Sequence, residues 1–328
     1  MFSLQHFWAR TGVLTVLLSP LALLFSVVSG LRRMAYRRGW LKAISVGVPV
    51  IIVGNITAGG SGKTPLVIWL VNWLRSQGYR PGVVSRGYGG SARGCVEVQP
   101  DSLAAVVGDE PLLIRAKTNA PVVVGRDRVA AARMLIAHHQ VDLIVADDGL
   151  QHYRLHRDIE LAVVDAATGL GNGWLLPAGP LREPKSRLRS VDAVIQVVRG
   201  LTLPIKHLPA TAWRADYTAG QAYRLLAPQE KVALSDLPPR DWLAISGIGH
   251  PQGFFDMLRA RGVRFSSRAF ADHHAFEEEN LPAGGAVLMT EKDAVKCMSF
   301  AGSDWWAVEL DVSLESGFID WLGARIKL

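Results

Sequence analysis

The sequence predicts an α/β protein whose mostly parallel sheet is covered by helices on both faces. Three observations predict this class. Short apolar runs alternate with helix-patterned segments, and one of these runs ends in a glycine-rich loop that a helix follows at once. A proline-rich stretch within residues 201–240 then separates a second, smaller α/β segment. At 328 residues the chain is long enough for two domains.

The predicted elements follow in chain order. In the first segment, strands are predicted at 50–54, 121–125, 141–149, 159–165 and 191–198, residues 82–90 are predicted as a strand that breaks into a glycine-rich loop, and helices are predicted at 65–76 and 126–139. In the second, strands are predicted at 242–249, 263–270, 286–289 and 305–312, and helices at 252–261 and 314–326. Ligands of such sheets bind at the carboxyl ends of the strands, where we look for the site.

The predicted domain organisation has three parts. Residues 1–40 form an N-terminal membrane-anchor segment, residues 41–200 a core that 313–328 completes, and residues 201–312 a smaller α/β domain with a hinge. We place the boundary near Leu201, because the apolar pattern loosens there and prolines accumulate.

The N-terminal segment is predicted to bind a membrane. Residues 11–30 are twenty residues without a charge, and they precede Arg32, Arg33, Arg37 and Arg38. Twenty apolar residues can cross a bilayer as a helix, and the arginines predict that this end stays cytoplasmic. Because Pro20 interrupts the run, a hairpin or a helix lying in the interface competes with a span, and a buried core helix is the remaining alternative.

The charge balance predicts an anionic partner. The net charge is +7 and the isoelectric point is near 9.6. Because the basic residues cluster beside the apolar segment and no aromatic-interleaved basic motif is present, we favour anionic lipid and predict no nucleic-acid partner. Cys95 and Cys297 stand far apart and predict neither a disulfide framework nor a zinc site.

The glycine-rich loop predicts a phosphate-binding site. The run VIIVGNITAGGSGKTP places Gly59, Gly60, Ser61 and Gly62 before Lys63 and Thr64 in a strand, loop and helix context. Backbone N–H groups and the helix N-terminus bind phosphate oxygens, the lysine supplies a full charge, and the threonine hydroxyl can ligate Mg²⁺. Thr57 replaces the first consensus glycine. A glycine-rich turn with a solvent-facing lysine is the alternative.

Two acids end the buried strand predicted within 141–149. Asp147 and Asp148 follow an apolar run, as in a segment that positions Mg²⁺ for phosphoryl transfer. An Asp-Asp-Gly turn without a metal role is the alternative.

Further candidates lie in short motifs. In Gly-Asp-Glu-Pro, interpreted as an acidic loop, Asp109 is able to accept the proton of an attacking hydroxyl, although a helix N-terminus explains the motif equally well. His273 and His274 follow an aspartate and are as readily structural as catalytic. Arg86 and Arg182 lie in constrained loops that suit phosphate recognition, although solvated loop arginines are commoner.

In this order the motifs resemble the tetraacyldisaccharide 4'-kinase family, the lipid A 4'-kinases of Gram-negative bacteria. The resemblance rests on an N-terminal hydrophobic segment, GNITAGGSGKTP, SRGYGG, GDEP, DDGLQH, PAGPLREP, ADHH and TEKDAVK, and covers residues 50–296. It implies a kinase core joined to a smaller α/β domain by a two-stranded hinge. It also implies ATP- and Mg²⁺-dependent transfer of the γ-phosphate to the 4'-hydroxyl of tetraacyldisaccharide 1-phosphate, giving lipid IVA.

The resemblance also implies residue roles. The implied catalytic residues are Asp109, which acts as the base and is supported by His273, and Lys63. His274 is the alternative to His273. The loop residues 59–64 and Lys292 bind the nucleotide. The sugar phosphate is bound by Arg86, Tyr88 and Arg182, and the metal by Thr64, Asp147, Asp148 and Glu183.

The implied setting is the cytoplasmic face of the inner membrane, with the membrane glycolipid as partner and a monomeric enzyme. The main alternative is a membrane-anchored phosphate-loop ATPase that drives a partner protein; it shares the loop and the Asp pair but gives no reason for the GDEP and DHH motifs. A non-enzymatic basic membrane binder is a third interpretation, and the Gly-Lys-Thr loop argues against it.

Overall fold

The fold is described from a computed structural model that covers residues 4–200, 202–205, 208–209, 211–282 and 284–326. Leu201, near which the domain boundary is predicted, lies outside the described residues, as do the last two residues of the predicted 313–328 segment.

The described helices are α1 (Leu4–Ala9), α2 (Val13–Arg37), α3 (Lys63–Ser76), α4 (Ala104–Val107), α5 (Asp109–Thr118), α6 (Arg128–His138), α7 (Pro251–Ala260), α8 (Glu291–Cys297) and α9 (Ser316–Ile326). The described strands are β1 (Val50–Gly54), β2 (Pro81–Ser85), β3 (Cys95–Glu97), β4 (Val122–Gly125), β5 (Leu143–Asp147), β6 (Ile159–Asp165), β7 (Ala193–Arg199), β8 (Ala212–Arg224), β9 (Ala227–Val232), β10 (Trp242–Ser246), β11 (Phe265–Ala269), β12 (Val287–Thr290) and β13 (Trp305–Leu314).

The strands form one mostly parallel sheet in the order β11-β10-β12-β13-β8-β7-β6-β1-β5-β2-β4-β3, and β9 pairs with β8. The pairs β13–β8, β8–β9 and β3–β4 are antiparallel, and the other pairs are parallel. The predicted α/β class with a mostly parallel sheet is therefore confirmed. We call β1 to β7 the larger half of the sheet and β10 to β12 the smaller half. Because β1 lies between β5 and β6, the loop after β1 opens near the middle of the larger half.

Helices cover both faces of the larger half. Leucines and valines of α3 pack with Phe318 and Leu322 of α9 against one face, and α6 packs against the other. β1 and β5 are buried along their whole lengths, as their continuous apolar runs predict. The smaller half of the sheet has its own clusters, with α7 on one face and α8 on the other.

The strands β8 and β13 join the two halves. The first part of β8 pairs with β7 of the larger half, from Ala212 to Tyr217. The same strand pairs with β13 from Ala215 to Arg224, and β13 pairs on its other edge with β12 of the smaller half. The long strand β8 therefore runs from one half of the sheet to the other.

Helix α2 is one continuous helix of 25 residues that passes through Pro20, so the predicted hairpin alternative is wrong. It is long and apolar enough to cross a membrane. Thr15 and Ala22 are buried against the protein, whereas Leu17 and Leu24 on the other side are 69% and 60% exposed. A groove of about 270 Å³ lies between this helix and the segment that contains Trp174.

Two sequence-based interpretations differ from the structure. Residues 212–232, interpreted as part of a linker, form β8 and β9. In β8 the buried residues alternate with more exposed ones, so one side of the strand is buried, whereas β9 is mostly exposed and pairs with β8. The GDEP motif, interpreted as an acidic loop with a helix N-terminus as the equal alternative, begins helix α5 at Asp109, with Pro111 in the first turn where proline is tolerated. The alternative is therefore correct.

Candidate active site

The phosphate loop lies between β1 and α3, as its sequence predicts. Its two turning points are Gly59 and Gly62, whose φ angles of 101° and 79° favour glycine. The helix begins directly after Gly62, so the first N–H groups of α3 face the loop. Thr64 is buried and Ser61 is 3% exposed with no partner for its hydroxyl among the described residues. The backbone is therefore shaped as an anion cradle.

Residues 177–184, with the sequence PAGPLREP, hydrogen-bond to this loop. The N–H of Ala58 donates to the carbonyl of Pro180 at 2.7 Å, and the N–H of Arg182 donates to the carbonyl of Ile56 at 2.7 Å. These bonds fix the loop from its outer side and bring the Arg182 side chain to the carboxyl end of β5.

The carboxylate of Asp148 pairs with two cationic side chains at the loop, Lys63 and Arg182. Its carboxylate lies 3.5 Å from Lys63 Nζ and 3.0 Å from Arg182 Nη1. Burial alone would raise the pKa of Asp148, but the two cations outweigh it and lower the pKa to about 2. The residue also has a φ of 49°, which is a strained backbone for an aspartate at the end of a strand.

Asp147 lies beside it and is fully buried. The Ser85 hydroxyl donates to its Oδ2 at 2.9 Å, and Oδ1 has no donor among the described residues. Burial, reinforced by the nearby carboxylate of Glu110, raises the pKa of Asp147. A buried carboxylate oxygen without a partner favours a cation that the protein itself does not supply.

Asp109 and His273 form a contact between the two halves of the sheet. Asp109 begins α5 in the larger half, and His273 follows β11 in the smaller half. The Nδ1 atom of His273 lies 3.0 Å from Asp109 Oδ2 and 3.2 Å from Oδ1. The hydrogen bond to Asp109 raises the pKa of His273. Burial alone would raise the pKa of Asp109, but His273 and Lys292 outweigh it and lower it.

Lys292 is the second group from the smaller half. Its Nζ lies 3.0 Å from Glu110, 3.8 Å from Asp109 and 3.9 Å from Asp272. Burial alone would lower the pKa of Lys292, but the three carboxylates outweigh it and raise it. This ammonium is therefore charged and lies within reach of an anion bound at the contact between the halves.

The other candidates lie around this contact. The ring of Tyr88 lies 5.1 Å from the ring of His273 and is 62% exposed. Arg86, two residues earlier, is exposed. His274, the alternative histidine, donates from Nε2 to Asn280 Oδ1 at 3.3 Å and stacks on Phe270, so it turns away from Asp109.

Glu183 has a different setting from the metal role that the resemblance implies. Both of its oxygens are occupied, by Gln151 at 3.0 Å and by Tyr153 and Arg187 at 2.8 and 3.0 Å. The side chain is 5% exposed, and Arg187 is equally buried. Because its lone pairs already accept protein donors, we leave Glu183 out of the metal site.

The donor set nevertheless fits Mg²⁺. This ion takes one or two carboxylates and completes its shell with phosphate oxygens and water. Asp147 Oδ1, which is unpartnered among the described residues, and the buried Thr64 would supply the protein ligands, beside a loop shaped for phosphates. The described residues contain no group of three or more His, Cys, Asp or Glu side chains that could hold a metal without such a substrate.

Sequence reasoning missed three neighbours of the site. Ser85 holds Asp147, and Glu110 pairs with Lys292. Arg128 is 4% exposed, and its charge acts on both Asp147 and Asp148. Ser85 and Glu110 adjoin predicted residues in SRGYGG and GDEP, which was the available signal. Nothing in the sequence singles out Arg128.

Comparison with known proteins identifies relatives over nearly the whole chain. Residues 14–327 match the family described as tetraacyldisaccharide-1-P 4'-kinase. The tetraacyldisaccharide 4'-kinase of Thiobacillus denitrificans is 66% identical over 327 residues, which are 99% of each chain. That of Azoarcus sp. is 49% identical over 98% of this chain and 94% of its own length.

A solved structure has the same fold. The crystal structure of the "apo" form of LpxK from Aquifex aeolicus in complex with ATP superposes with a TM-score of 0.84 at 28% identity, over 96% of this chain and 99% of that one. The chain belongs to the tetraacyldisaccharide-1-phosphate 4'-kinase family.

Proposed function

We propose that this protein transfers the γ-phosphate of ATP to the 4'-hydroxyl of tetraacyldisaccharide 1-phosphate, giving lipid IVA for lipid A synthesis. Family membership supports the reaction and the substrate. The observation that carries the assignment to this site is the contact between Asp109 and His273, which joins the two halves of the sheet. The next residue, Glu110, is close enough to Asp147 to raise the pKa of that carboxyl.

The loop binds the triphosphate. Backbone N–H groups at the start of α3 and the Lys63 ammonium neutralise its β- and γ-oxygens, and Asp148 keeps the ammonium at the loop before the nucleotide arrives. Thr64 and Asp147 would hold Mg²⁺, which supplies charge stabilisation of the transferring phosphoryl group. Lys292 would reach the nucleotide from the smaller half.

The acceptor proton passes to the Asp109–His273 pair. The pair gains a net proton only when it begins as carboxylate and neutral imidazole. Asp109 then accepts the proton from the 4'-hydroxyl, and its hydrogen bond to His273 lets the imidazole stabilise the added proton. Tyr88, whose ring lies 5.1 Å from that of His273, would bind the sugar phosphate together with Arg86 and Arg182. The two arginines would each donate a pair of parallel N–H bonds to phosphate oxygens.

The two halves of the sheet are proposed to act as lobes. Residues 41–200 with 313–328 form the larger lobe, residues 201–312 the smaller, and β8 with β13 the hinge between them. Closure would bring His273 and Lys292 onto Asp109 and exclude water. One chain supplies the loop, Asp109 and His273, so a monomer suffices for the site.

Helix α2 is proposed to lie in the cytoplasmic interface of the inner membrane. A spanning helix would leave the protein along its length, but α2 stays docked through Thr15 and Ala22, and Tyr36 stacks on Tyr153 near its end. Its exposed leucine face enters the acyl region, while the arginines at its end meet anionic headgroups. An acyl chain of the substrate would enter the groove beside it.

A transfer assay tests the function. The full chain in detergent receives γ-labelled ATP, Mg²⁺ and tetraacyldisaccharide 1-phosphate, and label is followed into lipid and into free phosphate. We expect label in the lipid and its loss in Lys63→Ala, with Lys231→Ala as the matched control on the smaller half. Label in free phosphate alone, released faster with a partner protein, would favour the ATPase alternative and contradict the proposal.

A further inference from the structure

Tyr217 holds the phosphate loop from the strand that joins the two halves. Its hydroxyl donates to the carbonyl of Gly62 at 2.7 Å, and its side chain is fully buried. Gly62 is the last residue before α3, and its carbonyl is the first of that helix. The hydroxyl therefore fixes the peptide group that precedes Lys63, the charged residue of the loop.

The surroundings of Gly62 are crowded on the same side. A Cβ atom there would lie 2.5 Å from Arg199 Nη2 and 3.1 Å from the Tyr217 ring. Arg199 stacks over that ring at 5.2 Å and pairs with Asp165. The loop thus rests on a rigid support formed by the ends of β6 and β7 together with β8.

The position of Tyr217 along β8 connects its hydrogen bond to Gly62 with the strands that lead to the smaller half. The residue pairs with Arg199 of β7 and with Val312 of β13, so it lies where β8 leaves the larger half. Beyond it, β8 and β13 run to the smaller half, where β12 leads into α8 and Lys292. A rotation of the smaller half about these strands acts directly on the Tyr217 backbone.

We propose that Tyr217 is a positioning residue that couples nucleotide binding at the phosphate loop to the approach of the smaller half. This inference rests on the proposed function, because it assumes that the loop binds ATP. Bound phosphates would hold the Gly62 peptide group in one position, and the hydrogen bond from the Tyr217 hydroxyl would then hold β8 in place. This position of β8 favours the arrangement in which Lys292 and His273 contact Asp109. By linkage, the approach of the smaller half strengthens ATP binding equally.

The test compares Tyr217→Phe with Tyr79→Phe. Phenylalanine keeps the buried ring and removes only the hydroxyl, and Tyr79 packs against the same hydrophobic cluster without contacting the loop. Binding of Mg²⁺ and β,γ-imido-ATP to the full chain in detergent is measured by calorimetric titration. Hydrogen exchange of residues 271–274 and 291–297 is followed with and without the nucleotide, and thermal unfolding is recorded for each variant.

Tyr217→Phe is expected to weaken nucleotide binding about three- to tenfold, the effect of losing one neutral hydrogen bond. It should also reduce the nucleotide-induced protection of residues 271–274 and 291–297, whereas Tyr79→Phe should change neither. A lower unfolding temperature with unchanged affinity and unchanged protection would show a merely structural role and overturn the inference. If the unsubstituted protein bound no nucleotide, this result would overturn the proposed function. The inference would then also be overturned, because it assumes that the loop binds ATP.

Discussion

The imidazole of His273 lies 3.0 Å from the carboxylate of Asp109, although 164 residues separate them in the chain. One residue begins α5 of the larger half and the other follows β11 of the smaller half. His273 has a φ of 57°, a strained conformation that places its ring toward the larger half. The pair therefore exists only while the two halves are together, and this property leads to the following predictions.

Substitution Asp109→Asn should lower kcat by about two orders of magnitude or more, because it removes the group that takes the acceptor proton. Binding of ATP should remain nearly intact, since Asp109 lies outside the phosphate loop. Transfer kinetics and a nucleotide titration measure both. Asp256→Asn on the exposed side of α7 serves as the control. Unchanged kcat in Asp109→Asn would remove this residue from the mechanism.

The pH dependence should follow His273. Its pKa is raised above 6.5, chiefly by the hydrogen bond to Asp109. The stability that the charged imidazolium gains from Asp109 is therefore fully present below pH 6.5 and is lost as the pH rises through the raised pKa, although the neutral ring can still hydrogen-bond to the carboxylate. Activity needs the neutral imidazole, so kcat/KM should rise with pH to a plateau with a midpoint above 6.5.

The Asp109→Asn variant tests whether Asp109 causes the raised pKa of His273. Asp109→Asn removes the main cause of the raised pKa while Lys292 still opposes protonation, so the pKa of His273 should fall. NMR titration of labelled histidine, assigned with His273→Gln, measures the midpoint in both proteins. A midpoint that Asp109→Asn leaves in place would show that the contact does not form in solution.

Glu183 should prove structural. Removing its carboxylate in Glu183→Ala leaves the buried Arg187 with one partner fewer, a loss that typically costs about 3–5 kcal/mol. We expect a lower unfolding temperature, while the Mg²⁺ concentration for half-maximal residual activity stays the same. Asp147→Asn should instead raise that concentration. A shifted Mg²⁺ requirement in Glu183→Ala at unchanged stability would return Glu183 to the metal site.

Membrane binding should depend on the arginines at the end of α2. Arg32 and Arg37 are exposed, and each arginine near an anionic surface contributes about 1 kcal/mol. Replacing both by glutamine should weaken binding to anionic vesicles roughly 30-fold at low salt, with little change on neutral vesicles. Vesicle sedimentation measures this. Equal weakening on both vesicle types would show that charge is not what these residues contribute.

Much of the fold could be predicted, because periodic apolar runs determine which segments are buried. The strands around the phosphate loop appear where the pattern places them. β8 was missed because only one of its sides is buried and its polar residues resemble those of a linker. The GDEP motif fitted an acidic loop and a helix N-terminus equally well in the sequence, and the structure shows the helix N-terminus.

The site was predictable where a motif determines local chemistry and not where long-range contacts decide it. The loop residues and the Asp pair meet in space because adjacent parallel strands end together. Tyr217 and Arg128 carry no motif, and only the packing of distant elements reveals their contacts. Glu183 is the opposite case: it lies in a motif, but its carboxylate hydrogen-bonds to buried partners such as Arg187, which the sequence does not indicate.

A double-mutant cycle of Asp109→Asn and His273→Gln in the lipid transfer assay tests most directly whether the two halves assemble one proton acceptor. If the two residues act as a unit, the double variant should lose about as much kcat as Asp109→Asn alone. Losses that multiply would mean that the residues act independently, which would contradict the proposed mechanism.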